Sequence, residues 1–266
     1  MLQTIDVIGK FTLDIYRTII EMVLFCYLSF RSIVKLCWHH QKPVLSIVVS
    51  QIFFTGFQAL PLITFIALAS GSIIVLQSTA QLSLLGSQDM MGNILVVTII
   101  RELGPLLTAL IVIARSGTAV ATELGSMQVN KEIEALRCMS IEPLGFVVFP
   151  RIVGGIISLV CLAFYFNCIA LVGGFFVSHL VSDLSFAFYV DVLAQAITAE
   201  DFALNVLKNS FSGLLIFSIA TYQGMNVKGS PHEVPMATTK AVVNSIMAVV
   251  TFNLSITIYM FARTLS

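Results

Sequence analysis

Charge is scarce in this sequence. Lys, Arg, Asp and Glu make up 11% of its 266 residues, where a soluble domain carries about 25%. The 14 cations and 14 anions cancel, and no basic run offers a surface to nucleic acid. His39, His40, His179 and His232 are scattered and form no HExxH or other ligand spacing, which argues against a metal site. No GxSxG nucleophile elbow and no GxxxxGKS/T phosphate loop occurs, so no catalytic residue is assigned and any ATP must be bound by another chain. Cys26, Cys37, Cys138, Cys161 and Cys168 lack CxxC spacing and read as small apolar core residues. Asp6, Lys10, Asp14 and Arg17 precede any long apolar run, and no small-residue cleavage site follows, so a cleaved signal peptide is not expected.

What the chain does have is apolar length. Hydrophobic residues make up 58%, and no charge occurs over 43–88, 152–182, 209–227 or 241–262. Each stretch can hold the roughly 20 apolar residues of a membrane span. The expected fold is an all-α integral membrane protein forming a single membrane domain over 1–266. Residues 5–42, with charges recurring at Arg17, Glu21, Arg31 and Lys35, read as an amphipathic helix on the membrane surface. The run 43–88 would be about 69 Å long as one helix, so it divides into an approach over 44–56 and a span at about 58–80. Further spans are expected at about 93–127, 150–178, 204–225 and 239–262. Gly86-Ser87-Gln88-Asp89 reads as a turn. A helix is expected over 186–197, with Phe186, Val190, Leu193 and Ile197 on one face. With a cytoplasmic N-terminus nearly all basic residues fall inside, which places the polar segment 130–143 in the cytoplasm. Asn130 is its expected N-cap and Pro143 its stop.

The costly residues are Arg101 and Glu102, inside the apolar run 94–114. A charge at a helix centre costs about 2.5–3.5 kcal/mol on insertion scales. Pro105 cannot donate to the carbonyl of Arg101, so the helix should loosen there. Both charges read either as anchors reaching an interface or as groups presented to a headgroup or partner subunit. Lys208 reads as an interfacial anchor at the depth of Arg101. Arg115 and Glu123, two turns apart, read as structural. Gly117, Ala121 and Gly125 form a small-residue stripe that permits close helix contact. The segment 131–142 is either a solvated connector or a docking knob.

Taken together, Arg101-Glu102-Leu103-Gly104-Pro105, Ala114-Arg115-Ser116-Gly117, Glu123-Leu124-Gly125-Ser126-Met127, Glu132-Ile133-Glu134-Ala135-Leu136, Pro150-Arg151 and Ala237-Thr238-Thr239-Lys240 resemble the signature of MlaE/YrbE-type permeases. These are the membrane subunits of MCE-associated phospholipid ABC transporters. The resemblance runs over essentially the whole chain. It implies a surface helix plus five spans assembled as a homodimeric ABC permease, a non-enzymatic subunit without a cofactor of its own. Implied partners are a pair of cytoplasmic ATPase subunits, a periplasmic MCE-domain ring (a hexamer), and often a STAS-domain protein. The implied function is ATP-driven phospholipid movement between inner and outer membranes, maintaining outer-membrane lipid asymmetry. Carried over by position, Arg101, Glu102, Leu76, Gln77 and Lys208 would line a lipid cavity. Lys131, Glu132, Ile133, Glu134, Ala135, Leu136 and Arg137 resemble the helix that couples to the ATPase. Where many relatives carry an acidic residue in the last span, this chain has Asn253. The implied location is the inner membrane of a Gram-negative bacterium. The rival reading is an ion- or proton-coupled secondary transporter using Glu102, Arg115 and Glu123, but no internal repeat supports it.

Overall fold

Backbone groups in hydrocarbon have no water to bond to, so an apolar chain of this kind satisfies them within helices. The computed structural model describes residues 41–85, 90–182 and 185–265, together with Leu24, Phe25, Tyr27, Leu28 and Arg31. Most of the expected surface helix 5–42, the expected turn at 86–89, Cys26 and Cys37 lie outside the described residues. No strand occurs among the described residues.

The chain runs through α1 (Gln41–Thr55), a single 3₁₀ turn at Phe57–Ala59, and α2 (Leu60–Leu85). Gly56 and Leu60 both keep right-handed helical geometry, so α1 and α2 continue as one path instead of reversing. Next come α3 (Met91–Val129), the short α4 (Glu132–Cys138), α5 (Phe149–Ser182) behind a π turn at Leu144–Val148, and α6 (Phe186–Ala196). Finally α7 (Ala199–Met225) and α8 (Glu233–Leu265) close the bundle. Among the described residues, five stretches are long and apolar enough to cross a membrane: Leu45–Leu82, Met91–Val129, Leu144–Val177, Ala199–Met225 and Glu233–Arg263. Each begins before its expected span, in the first and third because apolar residues continue the helix and in the last two because polar residues such as Glu200, Asp201 and Glu233 are taken into its first turn. In α7, Thr198 and Asp201 form a reciprocal capping box that starts the helix five residues before the expected 204.

The long α5, charged only at Arg151, is the organising element. It packs along α2, and a Cβ at Gly71 would lie 2.1 Å from the Ala170 carbonyl oxygen, so only glycine lets the two backbones approach this closely. Its other flank meets α7, where the ring of Phe217 occupies the place of a Gly155 side chain. Ile63, Leu95, Ile113, Leu124, Ile152, Phe166 and Phe217 fill the interior. The stripe of Gly117, Ala121 and Gly125 faces α7 and the α7–α8 turn, with Ala121 O 2.8 Å from where a Gly224 Cβ would stand.

Three local expectations are corrected. The helix at 186–196 forms, but it packs through Tyr189 and Leu193, while Phe186 and Val190 are exposed. The backbone of α6 lies against α3 at Gly92, whose absent side chain would meet Val192 O at 2.3 Å, and this contact fixes which face turns inward. The helix at 132–138 is shorter than expected. Asn130 is the C-cap of α3, Lys131 (φ 60°) is the N-cap of α4, and the helix stops at Cys138, where Ser140 (φ 61°) reverses the backbone before Pro143 is reached. The described cysteines Cys138, Cys161 and Cys168 are exposed on the helix surfaces, not in the core.

Candidate polar seam between the third, seventh and eighth helices

The site grows out of one missing N–H. Pro105 can bond neither its i−4 carbonyl (Arg101) nor its i−5 carbonyl (Ile100). The preceding backbone Val96–Leu103 is π-helical, and the chain resumes an α-helix at Gly104 with the proline in its first turn. The loosening expected at Pro105 is thus a π segment. Helix α7 supplies the missing donors across the interface. Asn205 Nδ2 donates to Ile100 O at 2.9 Å, and Lys208 Nζ donates to Arg101 O at 2.8 Å.

The same ammonium donates to Glu102 Oε1 at 3.0 Å and contacts Thr257 Oγ1 of α8 at 3.2 Å. Thr257 in turn lies 3.0 and 2.9 Å from the two Glu102 oxygens. Arg101 Nε donates to Asp201 Oδ1. The other oxygen of Asp201 accepts from the Thr198 N–H at 2.9 Å and its hydroxyl at 2.8 Å. Further along α7, Asn209 Nδ2 bonds Asn205 O at 2.7 Å, and Asn253 Nδ2 of α8 reaches Ser212 Oγ at 3.4 Å. Asp201, Asn205, Lys208, Asn209 and Ser212 are all buried, and they line one face of α7. Buried polar groups in such a helix are costly unless paired, so this seam fixes the register of α3, α7 and α8.

The structure therefore brings Arg101, Glu102 and Lys208 together, but in unequal roles. Lys208 is a buried staple and not an exposed anchor, with a side chain 3% exposed against 40% for Glu102. Leu76 is half-buried and Gln77 exposed on α2, and neither is a hydrogen-bonding partner of this cluster. Sequence reasoning missed Asp201, Asn205, Asn209 and Thr257. The polar spacing 201, 205, 208, 209, 212 along an apolar helix is the signal that could have found the first three.

Towards the other end of α3, about 33 Å from Arg101 along the axis, Glu123 pairs with Arg151 of α5 at 2.7 Å. Arg115 Nη2 donates to Gln58 Oε1 at 2.7 Å and its guanidinium stands over the Phe54 ring. Glu102, Arg115 and Glu123, the set needed by the secondary-transport reading, thus each have separate partners. Helix α4 hangs from this end of α3 with Ile133 buried, Leu136 half-buried, and Lys131, Glu132, Glu134, Ala135 and Arg137 exposed. Beside it, Arg137, Ser140, Ile141, Glu142, Pro143 and Leu144 line a recess of about 370 Å³. No cluster of His, Cys, Asp and Glu among the described residues could hold a metal ion.

Five helices long and apolar enough to cross a membrane, one of them broken and charge-stapled, define a multi-pass membrane protein. Comparison with known sequences makes this specific: the permease MlaE family matches residues 48–259, and the chain belongs to that family. It is 30% identical to a probable ABC transporter permease protein of Rickettsia prowazekii over 97% of both chains. A similar protein of Rickettsia conorii is 31% identical over 94% of this chain and 95% of its own. The intermembrane phospholipid transport system permease protein MlaE of Haemophilus influenzae is 27% identical over 81% of this chain and 83% of its own. The chain is accordingly the membrane subunit of an ABC transporter, a class that works with a separate ATPase and is not itself catalytic.

Proposed function

We propose that this permease moves phospholipid between the inner and outer membranes of a Gram-negative cell, driven by ATP hydrolysed in a partner, and so maintains outer-membrane lipid asymmetry. The observation that carries this reading is the pair Arg101 and Glu102, held at the edge of a broken membrane helix with side chains 37% and 40% exposed. The Haemophilus relative named for phospholipid transport supports the substrate class.

A phospholipid has a head that avoids hydrocarbon and tails that avoid water. Two copies of the chain would enclose an apolar cavity for the tails, with Leu76 and Gln77 on its wall. Arg101 and Glu102 take the head. Lys208 acts through Glu102, as the group that holds it in place. Helix α4 seats in the ATPase, one on each side of a pair, and the recess beside it receives part of that contact. A periplasmic MCE-domain ring takes up or delivers the lipid, with a STAS-domain protein as a further partner of the ATPase.

Purification in mild detergent with mass spectrometry of proteins and lipids tests the reading. Dimeric permease, ATPase and co-purified phospholipid are expected, with bound lipid and transport reduced in Arg101→Ala while assembly persists. A lone monomer without lipid or ATPase would overturn it, and unchanged lipid and transport in Arg101→Ala would remove that residue from the site.

A further inference from the structure

Four charges meet at the polar seam, and they divide by exposure. Asp201 and Lys208 have side chains 0% and 3% exposed, whereas Arg101 and Glu102 are 37% and 40% exposed. The buried pair holds the exposed pair. Asp201, fixed by both donors of Thr198, takes Nε of Arg101, and Lys208 with Thr257 takes the carboxylate of Glu102. Two recognition groups are left facing outward. One is a guanidinium whose Nη groups have no partner among the described residues. The other is a carboxylate with lone pairs to spare, since an ionised carboxylate offers about four acceptor positions.

The net charge of this cluster is zero: Arg101 and Lys208 against Glu102 and Asp201. The nearest additional charge on the same turn of α7 is Glu200, exposed and also negative. A headgroup with net negative charge would gain from Arg101 but be repelled by the carboxylate beside it. A head carrying both signs gains from both. Guanidinium matches a phosphate with paired N–H donors. A primary ammonium donates N–H bonds to a carboxylate, which a trimethylammonium cannot do. Resting on the phospholipid reading above, we infer that Arg101 and Glu102 form a two-pronged site for a zwitterionic headgroup with a primary amine. The phosphate lies on Arg101 and the ammonium on Glu102, so phosphoethanolamine lipids are selected over anionic ones.

The test uses the full-length protein, purified with its partners and reconstituted in nanodiscs of equal phosphatidylethanolamine, phosphatidylcholine and phosphatidylglycerol. After transfer to mild detergent, native mass spectrometry counts retained lipids. The wild type should retain phosphatidylethanolamine over phosphatidylglycerol by about fivefold, or about 1 kcal/mol. Glu102→Gln makes the cluster net positive and should invert the ratio. Asp201→Asn changes the charge equally while leaving the outward carboxylate in place, and should shift the ratio the same way by less. Because the readout is a ratio within one sample, partial loss of folded protein does not alter it. Equal retention by the wild type, or an unchanged preference in Glu102→Gln, overturns the headgroup selection and leaves the lipid-permease reading standing. No retained lipid in the wild type overturns that reading itself.

Discussion

Pro105 and Gly104 act on opposite sides of the same backbone. The proline strips a donor from α3, while the glycine lets α5 come close enough to touch the break. A Cβ at Gly104 would lie 2.1 Å from Asn167 Oδ1 and 2.8 Å from Ile99 O. Gly104→Ala should therefore force α3 and α5 apart and cost about 1–3 kcal/mol, the usual range for overpacking. Gly117→Ala, whose nearest neighbour would be Ile216 Cγ2 at 3.5 Å, should be close to neutral. Thermal unfolding in detergent distinguishes the two, and Asn167→Ala should partly rescue Gly104→Ala if the amide is the obstacle. Equal melting of both glycine variants would refute the close-approach account. At this scale the sequence exposed Arg101, Glu102 and Pro105, because each violates the rules of an apolar helix locally. It hid Asp201 and Asn205. Their partners lie 100 and 105 residues away, and Asp201 stands among the acidic residues of what reads as an outside loop.

Helices were legible as elements wherever apolar length alone decides, and less so where packing decides. The charge-free runs gave four of the five segments and the apolar run 94–114 gave the second, since length and hydropathy are local properties. The inward face of α6 was not legible, because it depends on α3 presenting Gly92. Helix α4 shows the same limit. Seven residues are too few to stand as a helix in isolation, so α4 is held by its buried Ile133 and by the left-handed turns at Lys131 and Ser140 that bracket it. Its outward residues Glu134 and Arg137 carry no structural load and remain exposed. Glu134→Lys combined with Arg137→Glu should leave the fold and membrane insertion intact while lowering the ATPase recovered with the permease. Stoichiometric ATPase in that double variant would show that α4 is only a connector.

For the molecule as a whole, the proposed coupling to an ATPase requires that motion at α4 reach Arg101, about 40 Å away along α3. The two legs that flank α4 are α3 and α5, and they are bridged by Glu123, within two turns of the end of α3, and Arg151, in the first turn of α5. Arg151 is buried and also reaches Val147 O at 3.4 Å, in the π turn that opens α5. Glu123 is 60% exposed, so solvent screens the pair and its contribution to stability is small, about 0–1 kcal/mol. Its geometric effect is to tie α3 to α5, so that under the proposed coupling the two would move together when α4 is pushed. From there, in the proposed cycle, the displacement would pass up α3 to the π segment at Val96–Leu103, where the staples from α7 and α8 sit. Glu123→Gln should accordingly leave melting, assembly and bound lipid near wild type, yet raise the ATP hydrolysed per lipid moved in reconstituted vesicles. An unchanged ratio would mean that α4 drives the lipid site by rigid movement of the whole bundle. A fall in ATPase recovery would place Glu123 in the docking surface instead of between the two legs.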